Sequence, residues 1–113
     1  MSKRSNKAKL VFIIEMIDSI EIIVSRHGTV SVALEDIEGQ LAILMAMTQI
    51  GEVINKIDAE IITQKELGVV QKGAYDLRNY IVHDYDGVDL YIVEDAIKNR
   101  LPELKIILSE IIV

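Results

Sequence analysis

The sequence predicts an all-α protein, and two features of its 113 residues carry this prediction. Apolar side chains recur at steps of three and four residues through long segments, which is the spacing of a helix with one buried face. No segment shows the sustained alternation of apolar and polar residues that is typical of a half-buried strand. The length fits a single domain, which we take to span residues 1–113.

The first helix is predicted over about Lys7–Arg26. Gly28 follows it, at the place where a residue of left-handed conformation commonly ends a helix. Other apolar residues widen the apolar arc beyond what one neighbouring helix can cover. The main stripe of this helix consists of Leu10, Ile13, Ile14, Ile17, Ile20 and Val24.

The second helix is predicted to be long, over about Val32–Ile57, with Ser31 as its N-cap. Its run Leu41–Met47 is apolar all round, so we expect it to be buried on more than one side, with both methionines inside the core. Gly51 lies within this helix and costs about 1 kcal/mol relative to alanine. We therefore expect another backbone to approach closely at that position.

A short helical piece and a loop through Gly68 are predicted next, followed by a third helix from about Val70 to His83 or Asp84. A fourth helix is predicted from near Asp89. Pro102 lacks the amide hydrogen that a helix uses, so this helix either kinks there or stops and restarts with the proline in its first turn. The apolar stripe of the fourth helix consists of Val93, Ile97, Leu101, Leu104, Leu108 and Ile111.

The composition excludes several classes of protein. There is no cysteine, which rules out disulfides and thiolate zinc sites, and the two histidines and the carboxylates form no metal-ligand pattern. We expect no metal and no cofactor. The apolar run Leu10–Val24 contains three acidic residues and is shorter than about 20 residues, so we expect no membrane span or signal peptide and a cytoplasmic protein. The net charge of −6 argues against nucleic-acid binding through a broad basic surface.

The stretch RNYIVHDY, residues 78–85, gathers polar chemistry in an otherwise aliphatic chain. At about 100° per residue, Asn79 and His83 share one helix face, whereas Arg78 and His83 point about 140° apart. Two arrangements would bring them together. The helix could end near His83 so that the histidine turns back, or a two-fold axis could place a second copy of the helix opposite the first.

These residue types suit the cleavage of RNA. A guanidinium binds phosphate with two hydrogen bonds, and a histidine transfers protons near neutral pH. The RNA supplies its own nucleophile, the 2′-hydroxyl, so the protein needs only a base, a group that binds the phosphate and orienting groups. The structural alternative is that a helix C-terminus favours cationic side chains and that the tyrosines only pack.

Four segments resemble the HepT-like branch of the HEPN family. RNYIVHDY matches its RxxxxHxY signature, and QIGEVINK, residues 49–56, is similar to the isoleucine–glycine–glutamate segment of its second helix. HDYDGVDLYIV, residues 83–93, and RLPEL, residues 100–104, resemble its histidine–tyrosine turn and its leucine–proline–glutamate–leucine element. The resemblance covers most of residues 34–112. It implies an antiparallel bundle of four to five helices that pairs as a homodimer.

The resemblance also implies a function. Active members are metal-independent ribonucleases that act as toxins in type VII toxin–antitoxin pairs, on RNA that includes tRNA. By this likeness Arg78 holds phosphate, His83 is the acid–base group and Asn79 orients the substrate or the histidine. Tyr85 matches a tyrosine that an MntA-like minimal nucleotidyltransferase antitoxin modifies with AMP. The alternative is a non-catalytic module that docks such a nucleotidyltransferase or holds a nucleotide.

Two acidic residues near this motif have open roles. Glu52 matches the family glutamate, but a solvated helix glutamate explains it equally well. Asp76 lies where the family more often has a small or apolar residue, and it could pair with Arg78 or repel a phosphate.

Overall fold

The all-α prediction is confirmed by the computed structural model, which describes residues 5–112 and contains no strand within them. A π-helical turn, Ala96–Arg100, joins the last two α-helices without a break, so these two form one continuous helix. Counted in this way, residues 5–112 contain six helices rather than the predicted four to five. The helices are α1 Asn6–His27, α2 Val30–Glu35, α3 Ile37–Ile54, α4 Ala59–Gln64, α5 Gly68–His83, α6 Leu90–Asp95 and α7 Leu101–Ile112.

The predicted second helix is divided in two at Asp36. The backbone of Asp36 is extended, with φ −79° and ψ 132°, and its carboxylate accepts a hydrogen bond of 2.9 Å from the amide of Gly39. Aspartate is among the best N-cap residues, so it starts α3 as a new helix. The N-cap of α2 is Thr29 and not Ser31, because the Thr29 hydroxyl accepts from the amide of Val32 at 3.1 Å.

His27 fastens the end of α1 to this break. Its Nδ1 lies 2.8 Å from the carbonyl of Ile23, and its Nε2 lies 3.2 Å from the carboxylate of Asp36. Both ring nitrogens therefore face acceptors. The Ile23 carbonyl, with the Asp36 carboxylate, raises the pKa of His27 above its ordinary value of 6.5. Gly28 follows with a positive φ of 96°, as expected of a helix-ending glycine.

The contacts between helices show that α1, α3 and α5 run antiparallel in turn. Asn6, at the start of α1, bonds Asp58 beyond the end of α3, whereas His27 meets the start of α3. Along α5, Gln71 donates to the carbonyl of Ile54 at 3.0 Å, and the later residue Arg78 lies against Gly51 and Glu52, which precede Ile54 in α3. The bundle therefore places the C-terminal half of α3 directly beside the motif helix.

The predicted apolar stripes of the first and last helices are confirmed and meet in one core cluster. In α1 the buried members are Leu10, Ile13, Ile17 and Ile20, with Ile14 and Val24 packed against them at partial burial. In the last helix only Ile111 is partly exposed; the buried members are Val93, Ile97, Leu101, Leu104 and Leu108.

Pro102 lies in the first turn of α7, as one of its two predicted arrangements requires, but the chain does not leave the helix before it. In the π-helical turn the amide of Leu101 donates to the carbonyl of Ala96, five residues earlier. The helix therefore continues past Pro102 although the proline has no N–H to donate.

The predicted all-round burial of the run from Leu41 to Met47 is wrong at three positions, Leu41, Ala42 and Met45. Leu41 is 46% exposed and Met45 is 55% exposed, although Met47 is buried. Together with Ile37, which is 64% exposed, they recur every four residues and form a line that we call the α3 apolar stripe. By length and composition α3 could also cross a membrane, but half of it is buried in the bundle, as in the core helix of a soluble protein.

Candidate functional site

The candidate site lies where α5 crosses the C-terminal half of α3. A Cβ atom at Gly51 would lie 2.6 Å from the carbonyl oxygen of Ala74 and closer still to the Cβ of Arg78. Only glycine leaves room for this approach. The expected contact of another backbone at Gly51 is therefore confirmed, and the backbone it meets is that of the motif helix.

The Arg78 side chain is held against α3 by Glu52. The Arg78 Nε lies 2.9 Å from Glu52 Oε2, and the two side chains are only 25% and 35% exposed. Nε is buried and its N–H is not aligned for a hydrogen bond, so the contact is an ion pair. On the other side, Arg78 Nη1 donates to Asn79 Oδ1 at 2.8 Å. The guanidinium carbon also lies 5.8 Å from the centre of the Tyr75 ring, within cation–π range.

These contacts determine which part of the guanidinium can meet a ligand. Of its five N–H groups, the Nε–H is buried beside Glu52 without a hydrogen bond, and one Nη1–H is used by Asn79. The remaining hydrogens belong to the two terminal nitrogens, which are the pair that binds a phosphate or carboxylate side by side. The geometry thus suits an oxyanion at the end of Arg78.

Asp76 does not pair with Arg78. Its carboxylate accepts from Lys72 Nζ at 2.8 Å, one helical turn earlier on the exposed face of α5. The acid that neutralises Arg78 is Glu52, which also lies 3.9 Å from the ammonium of Lys56. Glu52, and not Asp76, is therefore the acidic partner of Arg78, and Asp76 belongs to an ion pair on the surface.

His83 is the last residue of α5, and its side chain is exposed. Within residues 5–112 no hydrogen bond or ion pair joins its ring to Arg78. Because α5 stays helical through His83, the helical repeat directs the two side chains about 140° apart. A single chain therefore does not bring the arginine and the histidine together.

Asn79 and Tyr85 occupy different environments. Asn79 is half-buried and its side-chain oxygen is engaged by Arg78, which places its amide group at the edge of the guanidinium. Tyr85 opens the 3₁₀ turn Tyr85–Gly87 that follows α5, and it is 39% exposed. Its ring therefore lies on the surface two residues after His83.

Sequence reasoning left the role of Glu52 open, although one signal pointed to it. A glycine inside a helix marks a place where another backbone comes close, so its neighbours in sequence lie near that second helix. Glu52 directly follows Gly51 and was therefore a candidate to contact whichever cation α5 presents there.

Comparison with known proteins places the chain among ribonuclease relatives. The family model described as "Ribonuclease HepT-like" matches residues 13–111. A protein of Methanocaldococcus jannaschii named "Putative RNase MJ1216" is 30% identical over 105 residues, which cover 93% of this chain and 85% of that protein. No solved structure shows a significant match.

Proposed function

The chain belongs to the ribonuclease HepT-like family, and we propose that it is a metal-independent endoribonuclease that uses Arg78 and His83. The observation that carries the proposal is the state of Arg78. Its side chain is 25% exposed, and its guanidinium is held by Glu52 and Asn79 with hydrogens of its terminal nitrogens left for an anion. The same helix ends in an exposed histidine, which is the group that an acid–base reaction on RNA requires.

The reaction follows from these groups. Arg78 holds the scissile phosphate, and a His83 imidazole removes the proton of the neighbouring 2′-hydroxyl, whose oxygen attacks the phosphorus. The bond from phosphorus to the 5′-oxygen breaks, and His83, now protonated, gives that oxygen the proton. The products are a 2′,3′-cyclic phosphate and a free 5′-hydroxyl. Asn79, beside the guanidinium, orients the substrate or the histidine.

The site is composite and is formed by a homodimer. Arg78 of one copy works with His83 of the other, because the two side chains diverge within one helix. The α3 apolar stripe supports this arrangement, since three large aliphatic side chains stand exposed on the helix that packs against α5. Val82, on α5 beside His83, adds a further side chain that is 46% exposed. We expect the interface to bury about 1,200 Å² or more in total.

In its biological setting the protein is the toxin of a type VII toxin–antitoxin pair in the cytoplasm. Its partner is an MntA-like minimal nucleotidyltransferase. The Tyr85 oxygen loses its proton and bonds to the α-phosphorus of ATP, the bond to the β-phosphate breaks, and pyrophosphate leaves. The exposure of this ring on a surface turn supports the assignment. An AMP two residues from His83 adds a phosphodiester charge that can occupy Arg78 and an adenosine that blocks RNA.

A cleavage assay tests the proposal. Purified protein in EDTA is incubated with total tRNA, beside Arg78→Ala and His83→Ala variants. Arg100→Ala is the matched control, because this arginine is 75% exposed, lies on the π-helical turn outside the motif helix and pairs with Asp95 at 3.6 Å. Wild type and the control are expected to cut RNA and leave 2′,3′-cyclic phosphate ends, whereas the other two variants stay folded and inactive. RNA that is bound but never cut would point to a binding module instead.

A further inference from the structure

Glu52 is the acidic group nearest to the motif arginine, and the proposed reaction gives it no step. We infer that Glu52 is a positioning residue, which sets the orientation of the Arg78 guanidinium so that its terminal nitrogens face the substrate phosphate. This inference rests on the proposed function. It concerns a residue on α3, outside the motif helix.

Three contacts fix the guanidinium plane. Glu52 holds the Nε edge at 2.9 Å, and Asn79 accepts from Nη1 at 2.8 Å on the neighbouring edge. The Tyr75 ring lies 5.8 Å from the guanidinium carbon. Asn79 and Tyr75 belong to α5 itself and move with Arg78. Of these three contacts, only that with Glu52 ties the guanidinium to another helix.

Gly51 makes the contact with Glu52 rigid. The missing side chain of this glycine lets the backbone of α3 approach Ala74 and Arg78 so closely that no other residue fits without a shift. Glu52, the next residue along α3, therefore stands at a fixed distance from the arginine. Both charged side chains are largely removed from water, which strengthens their attraction.

The carboxylate has opposite effects on binding and on reaction. It places a negative charge beside the group that receives a phosphate, so it cannot strengthen the binding of RNA to the ground state. Its contribution is to hold the guanidinium in the one orientation that serves the transition state. A displacement of a catalytic group by about 1 Å lowers the rate on the order of 100-fold. Removal of the carboxylate should therefore lower kcat without raising KM.

The kinetic test compares Glu52→Gln with Lys56→Gln. Glutamine keeps the size of the side chain and removes its charge. Lys56 is the other cation near Glu52, at 3.9 Å and 59% exposed, so its substitution controls for the loss of any ion pair at Glu52. In the RNA cleavage assay we expect Glu52→Gln to lower kcat by about 10- to 100-fold with KM unchanged or lower, and Lys56→Gln to match wild type. A raised KM with unchanged kcat, or full activity of Glu52→Gln, would overturn the inference.

A second readout does not depend on catalysis. In ¹⁵N-labelled protein the Nε–H signal of Arg78, identified by its absence from Arg78→Lys, should exchange slowly with water, because this nitrogen is buried beside Glu52. In Glu52→Ala the signal should exchange as fast as those of exposed arginines, while circular dichroism stays that of folded protein. A slow signal that survives Glu52→Ala means that Glu52 does not hold Arg78. A wild type that shows the slow signal but never cuts RNA refutes the proposed function and leaves the contact intact.

Discussion

Gly51→Ala tests the close packing of α3 on the motif helix. An alanine methyl group at this position would overlap the carbonyl of Ala74 and the Cβ of Arg78. Neither atom lies at the end of a flexible side chain, so neither can swing aside. The two helices must separate to admit the methyl group, and Arg78 must move away from Glu52.

Two opposing terms give the expected magnitude. Forcing an extra carbon into a packed contact costs about 1–3 kcal/mol, and a contact with rigid backbone belongs at the upper end of that range. Alanine regains about 1 kcal/mol over glycine in helix propensity. We therefore expect Gly51→Ala to lower the free energy of unfolding by about 2 kcal/mol, taken as the difference between the two terms.

The matched control is Gly73→Ala in α5, where nothing lies within 4 Å of the added carbon. Here only the propensity term acts, so stability should rise by up to about 1 kcal/mol. Urea unfolding followed by circular dichroism measures both variants, at one protein concentration because dimers make stability depend on concentration. A loss of 2 kcal/mol shifts the midpoint by roughly 1 M urea.

The opposite signs of the two substitutions make the test sharp. If Gly51→Ala were as stable as wild type, or gained stability as Gly73→Ala should, the tight approach of α3 and α5 would be wrong. The packing of the two helices would then not be what holds Arg78 beside Glu52.

Three further predictions concern other contacts. The stability that charged His27 contributes is complete below pH about 6.5, its ordinary pKa, and is lost as the pH rises through the raised pKa of the folded state. His27→Gln should remove this decline in urea midpoints measured from pH 6 to 9, and an unchanged decline would contradict the contacts of His27 with the Ile23 carbonyl and Asp36. Tyr80→Phe should cost about 1 kcal/mol by thermal or urea unfolding, because the Tyr80 hydroxyl accepts from the amide of Asp89 at 2.8 Å; equal stability would mean that this bond contributes nothing. Tyr85→Phe should keep RNA cleavage but gain no AMP mass when incubated with the cognate nucleotidyltransferase and ATP, and labelling that persists would place the modification elsewhere.

The long apolar stripes were predictable because helical periodicity depends only on the residues of one segment. Ile13 and Leu108 are both fully buried, as their spacing requires. The break at Asp36 was not predictable in this way, because apolar spacing continues on both sides of it. Its physical cause lies in the cap that Asp36 offers to α3 and in the His27 side chain that meets it from α1.

In the candidate site too, features of a single helix were predictable and contacts between helices were not. The divergence of Arg78 and His83 could be calculated from their separation along one helix, and in the structure α5 stays helical from one to the other. The pairing of Arg78 with Glu52 could not, because it depends on which faces of α3 and α5 meet. Met45 was predicted to be buried because its neighbours in sequence are apolar. It is exposed in the single chain, because no other helix within residues 5–112 covers that side of α3.

The most direct test of a composite ribonuclease site is complementation between two inactive variants. Arg78→Ala and His83→Ala proteins are mixed, unfolded and refolded together, and then assayed on tRNA in EDTA. A mixed dimer unites the intact arginine of one copy with the intact histidine of the other, so roughly a quarter of wild-type activity should return, because half of the dimers are mixed and each has one intact site of two. If mass spectrometry shows mixed dimers and the mixture remains inactive, Arg78 and His83 do not act across the dimer.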